Sequence, residues 1–256
     1  MMIKNRPLIL VVNDDGIDSK GISFLSSVMR KIGDVFVVAP HVNRSGSSHS
    51  LTLNQDIYIE QINENNNEFI CSGNPVDCVK IALNKVLPRK PDLCVSGINH
   101  GSNHSINGLY SGTLHAAMEA TIHGISSLAF SHLSYSDDID FQPFASIITK
   151  MTHSILKNPL SSGITLNINF PNINFNNIKG FKICKQGKGC WSEEFKYVKK
   201  NKSKTYYSMR GKFNSDLNDV QSDSWALENN FISIVPVTLD STSFLINELN
   251  YLEYEF

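Results

Sequence analysis

This sequence lacks the marks of a membrane protein, a zinc protein and a disulfide-stapled secreted scaffold. Its five cysteines, Cys71, Cys78, Cys94, Cys184 and Cys190, are odd in number and show neither C-x-x-C nor zinc-finger spacing. Reduced thiols in a cytoplasmic protein are the expectation. No segment approaches the roughly 20 apolar residues that cross a bilayer. The first six residues precede only about six apolar ones, too short a run for a signal-peptide core. Charge of one sign is also missing: 23 Lys and Arg stand against 24 Asp and Glu, a net charge of −1. That removes the electrostatic case for a nucleic-acid polymer or a membrane surface as partner. After the first apolar run there is only Gly16, then Gly21, not G-x-G-x-x-G, so a dinucleotide-dependent oxidoreductase is excluded. No G-x-x-x-x-G-K-[ST] occurs either, which excludes a P-loop kinase, and no internal repeat is found.

What is present is ordinary globular composition, 41% apolar and 18% charged over 256 residues, enough for one large α/β domain with or without an appendage. Short runs rich in branched apolar residues alternate with helical periodicity through the first half. Pro7-Leu8-Ile9-Leu10-Val11-Val12, Val35-Phe36-Val37-Val38-Ala39, Leu93-Cys94-Val95-Ser96 and residues 127–131 read as buried strands. Residues 20–32, 76–86, 114–123 and 144–156 read as helices, the second opened by Asn74-Pro75. Leu51, Leu53, Ile57 and Ile59 suggest an extended ribbon, Phe69-Ile70-Cys71 its returning strand, and residues 164–170 a further strand. The alternation predicts an α/β fold around a doubly wound, mostly parallel sheet. From residue 172 to about 226 the chain is polar and poorly periodic, the pattern of an extended β-arm. A strand over 231–237 and a helix over 244–252 follow.

The chemistry concentrates in three loops, each after a predicted strand. The first is Asn13-Asp14-Asp15-Gly16. Adjacent carboxylates repel and raise each other's pKa unless a positive partner sits beside them, and a divalent cation is the simplest one. The second loop runs from Pro40 through Asn43, Arg44 and Ser45 to Ser50. The third runs from Ser96-Gly97-Ile98-Asn99 to Tyr110-Ser111-Gly112-Thr113, where a helix begins. In a parallel sheet all three rise from the edge where such folds bind ligands. Asp14, Asp15, Ser45 and Asn99 are hard oxygen donors, which suit Mg²⁺ or Mn²⁺ better than zinc. Ser111, Gly112 and Thr113 open the helix as an anion site. His100 and His104, in a glycine- and serine-rich loop, read as exposed or pocket-wall residues and not zinc ligands. The lysine cluster Lys196, Lys199, Lys200, Lys202 and Lys204 reads as a solvated arm or subunit contact.

With Ser19-Lys20-Gly21-Ile22, the first loop resembles the opening of the SurE family of survival-protein nucleotidases. The resemblance continues through Arg44-Ser45-Gly46, His49-Ser50-Leu51-Thr52, Gly73-Asn74-Pro75-Val76-Asp77, Ser96-Gly97-Ile98-Asn99-His100-Gly101 and Tyr110-Ser111-Gly112-Thr113. It ends in Leu166-Asn167-Ile168-Asn169-Phe170-Pro171 and Ile232-Ser233-Ile234-Val235-Pro236, so it spans nearly the whole chain in order. It implies a Rossmann-like core and a divalent-metal-dependent phosphomonoesterase. The substrates implied are nucleoside 5′-monophosphates, often 3′-monophosphates and sometimes short polyphosphate. It also implies one metal ion per subunit on Asp14, Asp15, Ser45 and Asn99, and a homodimer or homotetramer held partly by exchanged arms. Three positions depart from the family's usual residues and bear on the pocket wall: Asn74, His100 and Asn107-Gly108.

The expected organisation is a catalytic core over 1–171, an oligomerisation arm over 172–226, and a strand and helix returning to the core over 227–256. In the expected reaction Asp14 and Asp15 seat the metal, water attacks, and Asn43, Asn99, Ser111, Gly112 and Thr113 hold the phosphate. Neighbouring residues of an extended chain point opposite ways, which disfavours a covalent aspartyl-phosphate. A nucleotide-binding sensor with weak turnover, or polyphosphate hydrolysis as the main activity, are the alternatives.

Overall fold

Strand β1 (Leu8–Val12) is buried on both faces, and the fold is assembled around it. Its side chains alternate: Ile9 and Val11 pack into one apolar layer, Leu10 and Val12 into the opposite one. Each of these side chains contributes roughly 1.5–3 kcal/mol by leaving water. The first layer is covered by helices α1 (Lys20–Arg30) and α4 (Ala145–Lys157), the second by α2 (Pro75–Ile81) and α3 (Gly112–Ile122). The computed structural model describes residues 6–136 and 138–242.

Among the described residues one sheet of nine strands runs through the molecule. β1 pairs in parallel with β2 (Asp34–Pro40) on one side and β5 (Leu93–His100) on the other. Parallel pairing continues outward to β4 (Glu68–Cys71) beyond β2, and to β6 (Ser127–His132) and β7 (Ile164–Phe170) beyond β5. The edges depart from this rule. β3 (Ile59–Asn63) lies antiparallel on β4, and β13 (Ile232–Thr238) lies antiparallel on β7. The chain leaves β1 in one direction and β5 continues in the other, so the loops after β1, β2 and β5 part around a crevice at their carboxyl ends.

Helix placement follows from local chemistry. Ser19 caps α1 by accepting from the Ile22 N–H, and Ser111 caps α3 by accepting from the Leu114 N–H at 2.9 Å. The helix expected over 76–86 is α-helical only to Ile81 and closes in a π-turn, Ala82–Val86, ahead of Pro88. The ribbon expected from Leu51 begins only at Ile59. The preceding residues are held instead by Asp77, whose carboxylate accepts from the Thr52 N–H and hydroxyl, and Leu53 is exposed. The helix expected over 244–252 lies outside the described residues. None of the described helices is long and apolar enough to cross a membrane.

After β7 the chain forms β8 (Phe181–Ile183), which joins the sheet edge beside β13. It then makes two antiparallel ribbons. β9 (Gly189–Ser192) pairs with β12 (Lys212–Ser215), and β10 (Phe195–Asn201) pairs with β11 (Lys204–Met209). The base of these ribbons is tied to the core by one carboxylate. Asp223, buried at the start of α5 (Asp223–Glu228), accepts from the N–H groups of Ser105, Gly187 and Ser224 at 2.7–2.8 Å. Replacing it by alanine leaves three buried donors without partners, each costing about 1–3 kcal/mol. Asp223→Ala should therefore lower unfolding free energy by about 3 kcal/mol or more in urea, and Asp223→Asn by clearly less. Equal, small losses would show that this anchor does not hold the ribbons.

Candidate active site

The first loop is shaped by Asn13, whose amide donates to the Gly16 carbonyl at 2.8 Å and to the Ser19 hydroxyl at 2.9 Å. That turn sends the two aspartates to different partners. Asp14, 3% exposed, accepts a short hydrogen bond from the Thr113 hydroxyl at the head of α3. Asp15 Oδ2 accepts from the His100 N–H at 3.1 Å and lies 3.3 Å from His100 Nδ1, while its Oδ1 accepts from the Asn43 amide at 3.4 Å.

The second loop, from Pro40 to Ser50, is laced to the other two. The Arg44 N–H donates to the Asp14 carbonyl at 2.7 Å, and the Ser45 N–H to Asn43 Oδ1 at 2.8 Å. The Ser48 N–H reaches the Tyr110 carbonyl, and His49 Nε2 meets Glu119 of α3 at 3.0 Å. Glu119 is buried and also receives Lys80 at 2.7 Å and His123 at 3.2 Å. Burial alone would raise its pKa, but the hydrogen bonds from His49 and Lys80 and the Lys80 charge outweigh it, holding the carboxyl at about 2. This carboxylate fastens the second loop to the helix that carries Ser111, Gly112 and Thr113.

In the third loop, the register of β5 against β6 slips between Ser96 and Asn99, a bulge that re-aims the strand end. The Asn99 amide nitrogen donates to the Gly101 carbonyl at 2.7 Å, so its oxygen is the atom left to face a ligand. Asp14, Ser45, Asn99 and Ser111 all line one cavity of about 870 Å³. Asp15 reaches the same corner through Asn43 and His100. Gly112 packs against Asp14: a Cβ there would stand 2.8 Å from Asp14 Oδ2 and 2.7 Å from Ser47 Oγ.

A divalent cation fits these residues. Burial first, and the charge of Asp15 second, raise the Asp14 carboxyl from 3.8 to about 6, a cost that a cation would relieve. Ser47 Oγ is buried beside that carboxylate with no hydrogen-bond partner. Among the described residues no group of three His, Cys, Asp or Glu side chains is arranged to hold a metal, so any ion here relies on neutral oxygens as well. Such a donor set is the chemistry of Mg²⁺ or Mn²⁺.

The family model for survival protein SurE matches residues 9–193. The chain belongs to the SurE family. Its SurE relatives include the 5′-nucleotidase SurE of Flavobacterium johnsoniae, 48% identical over 245 residues, with 94% of this chain and 95% of the relative covered. That of Bacteroides thetaiotaomicron is 41% identical over 253 residues, covering 97% of each. The crystal structure of the SurE protein from Aquifex aeolicus superposes with a TM-score of 0.83 at 34% identity. It covers 97% of this chain and 100% of that one, so the SurE likeness runs through the ribbons too.

Several residues at the site have partners that their place in the sequence does not reveal. Thr113, expected on the phosphate, spends its hydroxyl on Asp14. His104 is buried, its ring edge against Phe213, because the 3₁₀ turn Ser105–Tyr110 folds it under the ribbons. His100 stands on the cavity wall, as expected, and also contacts Asp15. Ser47 was visible only as one hydroxyl among many, and Trp191 and Arg210 reach the cavity from the ribbons, where periodicity is absent.

Two outcomes follow from this geometry. Gly112→Ala would push a methyl group against Asp14 and Ser47, and a displacement of about 1 Å can cost a hundredfold in rate. Steady-state assay should show a loss near that size with circular dichroism unchanged. Asp14 also makes a signed contribution to stability. Its folded pKa lies above the unfolded one, so its penalty is absent below pH 3.8, grows as pH rises through about 6, and is then constant. In chelator, Asp14→Asn should therefore be more stable than wild type at pH 8 by about 3 kcal/mol. The gap should close toward pH 4, and a variant less stable than wild type at pH 8 would contradict the assignment.

Proposed function

We propose that this chain is a divalent-metal-dependent phosphomonoesterase that hydrolyses nucleoside 5′-monophosphates, and 3′-monophosphates as well. One observation carries the reading: the buried Asp14 carboxylate is packed against the first residue of α3, so a cation seat and an anion-binding helix start meet at one point. Asp14, Asp15, Ser45 and Asn99 hold one ion per subunit, Mg²⁺ or Mn²⁺. Bound there, the ion supplies Lewis-acid polarisation and neutralises charge that develops on the phosphoryl group.

The chain's own groups do the rest. The N–H groups of Gly112 and Thr113, in the first turn of α3, have no carbonyl partner within the helix and point at phosphate oxygens. The Ser111 hydroxyl, whose oxygen already accepts from Leu114, donates its hydrogen to the same phosphate. The Asn43 amide assists from the second loop. Thr113 orients Asp14 and leaves phosphate binding to its own backbone. Asp14, held by the Thr113 hydroxyl, takes the proton of the attacking water. Asp15 is fixed beside it by His100 and Asn43.

The β10–β11 hairpin, with Phe195, Tyr197 and Tyr207 more than 60% or close to 60% exposed, is the subunit contact of a homodimer or homotetramer. Its lysines are exposed along the same hairpin. The free cysteines fit a cytoplasmic setting.

The assay is inorganic phosphate release from a panel of nucleoside monophosphates with Mn²⁺ or Mg²⁺, then with chelator. Release should require the metal, and Asp14→Asn and Asp15→Asn should each lower it by about a hundredfold or more. Metal-independent turnover, or an Asp15→Asn enzyme near wild type, would overturn the proposal.

A further inference from the structure

The cavity above Asp14 is far larger than a phosphoryl group requires, and its outer wall is aromatic. At about 870 Å³ it extends from Asp14, Asn99 and Ser111 past Tyr110 to Tyr135 on the core and Trp191 on β9. Neither outer ring is placed by chance. The Tyr135 ring crowds Gly101, where an added Cβ would stand 2.3 Å from its Cε1, and yet Tyr135 is 73% exposed. Trp191 is fixed on three sides. Its indole N–H donates to Asn107 Oδ1 at 2.9 Å, its ring packs on Phe213 at 5.4 Å, and a Cβ on Gly211 would come within 2.6 Å of its Cε3.

We propose that Trp191 and Tyr135 form the platform on which the nucleobase of the substrate stacks, deepening the phosphomonoesterase reading and resting on it. The phosphate is held at the head of α3, so the remainder of the ester must lie outward along the cavity, toward these rings. Planar bases stack on fixed aromatic rings whatever their sequence, because every base offers a π-face. Two of the lining amides are partly occupied within the protein. Asn103 donates to Ser131 at 2.8 Å, and Asn107 accepts from Trp191. Selection by ring area follows, with purines ahead of pyrimidines, and the polar groups left on the cavity wall include those of Glu194 and Arg210 on the ribbons. Trp191 sits on the ribbons and Tyr135 on the core, so substrate specificity depends on how the ribbons dock.

The readout is the ratio of kcat/KM for adenosine 5′-monophosphate to that for ribose 5-phosphate, which carries the same phosphate without a base. Trp191→Ala and Tyr135→Ala should each lower this ratio by about tenfold, mainly through KM for the nucleotide, and Trp191→Tyr should restore most of it. If Trp191→Ala disturbs the ribbons, Tyr135→Ala, on the core, still reports. A ratio unchanged in both alanine variants, including one in which both substrates lose activity in parallel, means structural support only and overturns the proposal. Wild type that hydrolyses neither ester would defeat the phosphatase reading instead. The platform is then read by binding: in a Trp225→Phe background, Trp191 is the remaining tryptophan. Adenosine 5′-monophosphate should quench its fluorescence where ribose 5-phosphate does not, and no difference between the two would overturn the platform.

Discussion

The Asp14 carboxylate is buried at the carboxyl edge of the sheet, and the surrounding loops are organised by that burial. Asp14 has lost its water to the packing of β1 between two helical layers, and ionising it there is costly. The structure offsets the cost with what neutral groups can give. Thr113 donates to one oxygen, and the N-terminal end of α3 faces the other side. What is still missing is positive charge, and the residues nearest to it supply oxygen atoms instead. A site that stays electrically incomplete in this way is poised for a cation.

The same carboxylate joins two tasks that could have been separate. The helix that satisfies Asp14 is also the one whose first turn would hold the phosphate in the proposed reading, which would keep metal seat and phosphate cradle together. Around them Glu119 plays a supporting part at a distance, drawing His49 from the second loop onto α3 and Lys80 from α2. The loops are thereby bound to rigid elements, which keeps Asn43 and Ser45 in place without a strand of their own. The ribbons then complete the cavity from outside, anchored through Asp223 and closed by the indole of Trp191.

Much of this was legible in the sequence, for identifiable reasons. The strands around β1 carry unbroken apolar runs because both of their faces are covered, and that pattern survives any detail of packing. Asp14, Asp15, Ser45 and Asn99 stand out since hard oxygen donors follow three such runs in order. Ser111 was readable as a cap. Other features were not legible. The hydroxyl of Thr113 has the same sequence signature whether it meets a phosphate or an aspartate. The run from Leu51 to Ile59 alternates like a strand, yet Asp77 captures Thr52 and its first half forms no ladder. His104 sits in a polar loop and is buried by a ribbon some hundred residues later in the chain.

The sequence alone determined the sheet, its order of covering helices and the types of atoms at its carboxyl edge, because those depend on short-range periodicity and on residues adjacent to strand ends. Only the tertiary structure decided which atoms face one another. The separation of the two aspartates, one buried under Thr113 and the other drawn to His100, is the work of loops from three strands meeting at one crevice. So is the arrival of Trp191 at the same cavity, since a chain segment without periodicity takes its position from what it docks against and not from its own residues.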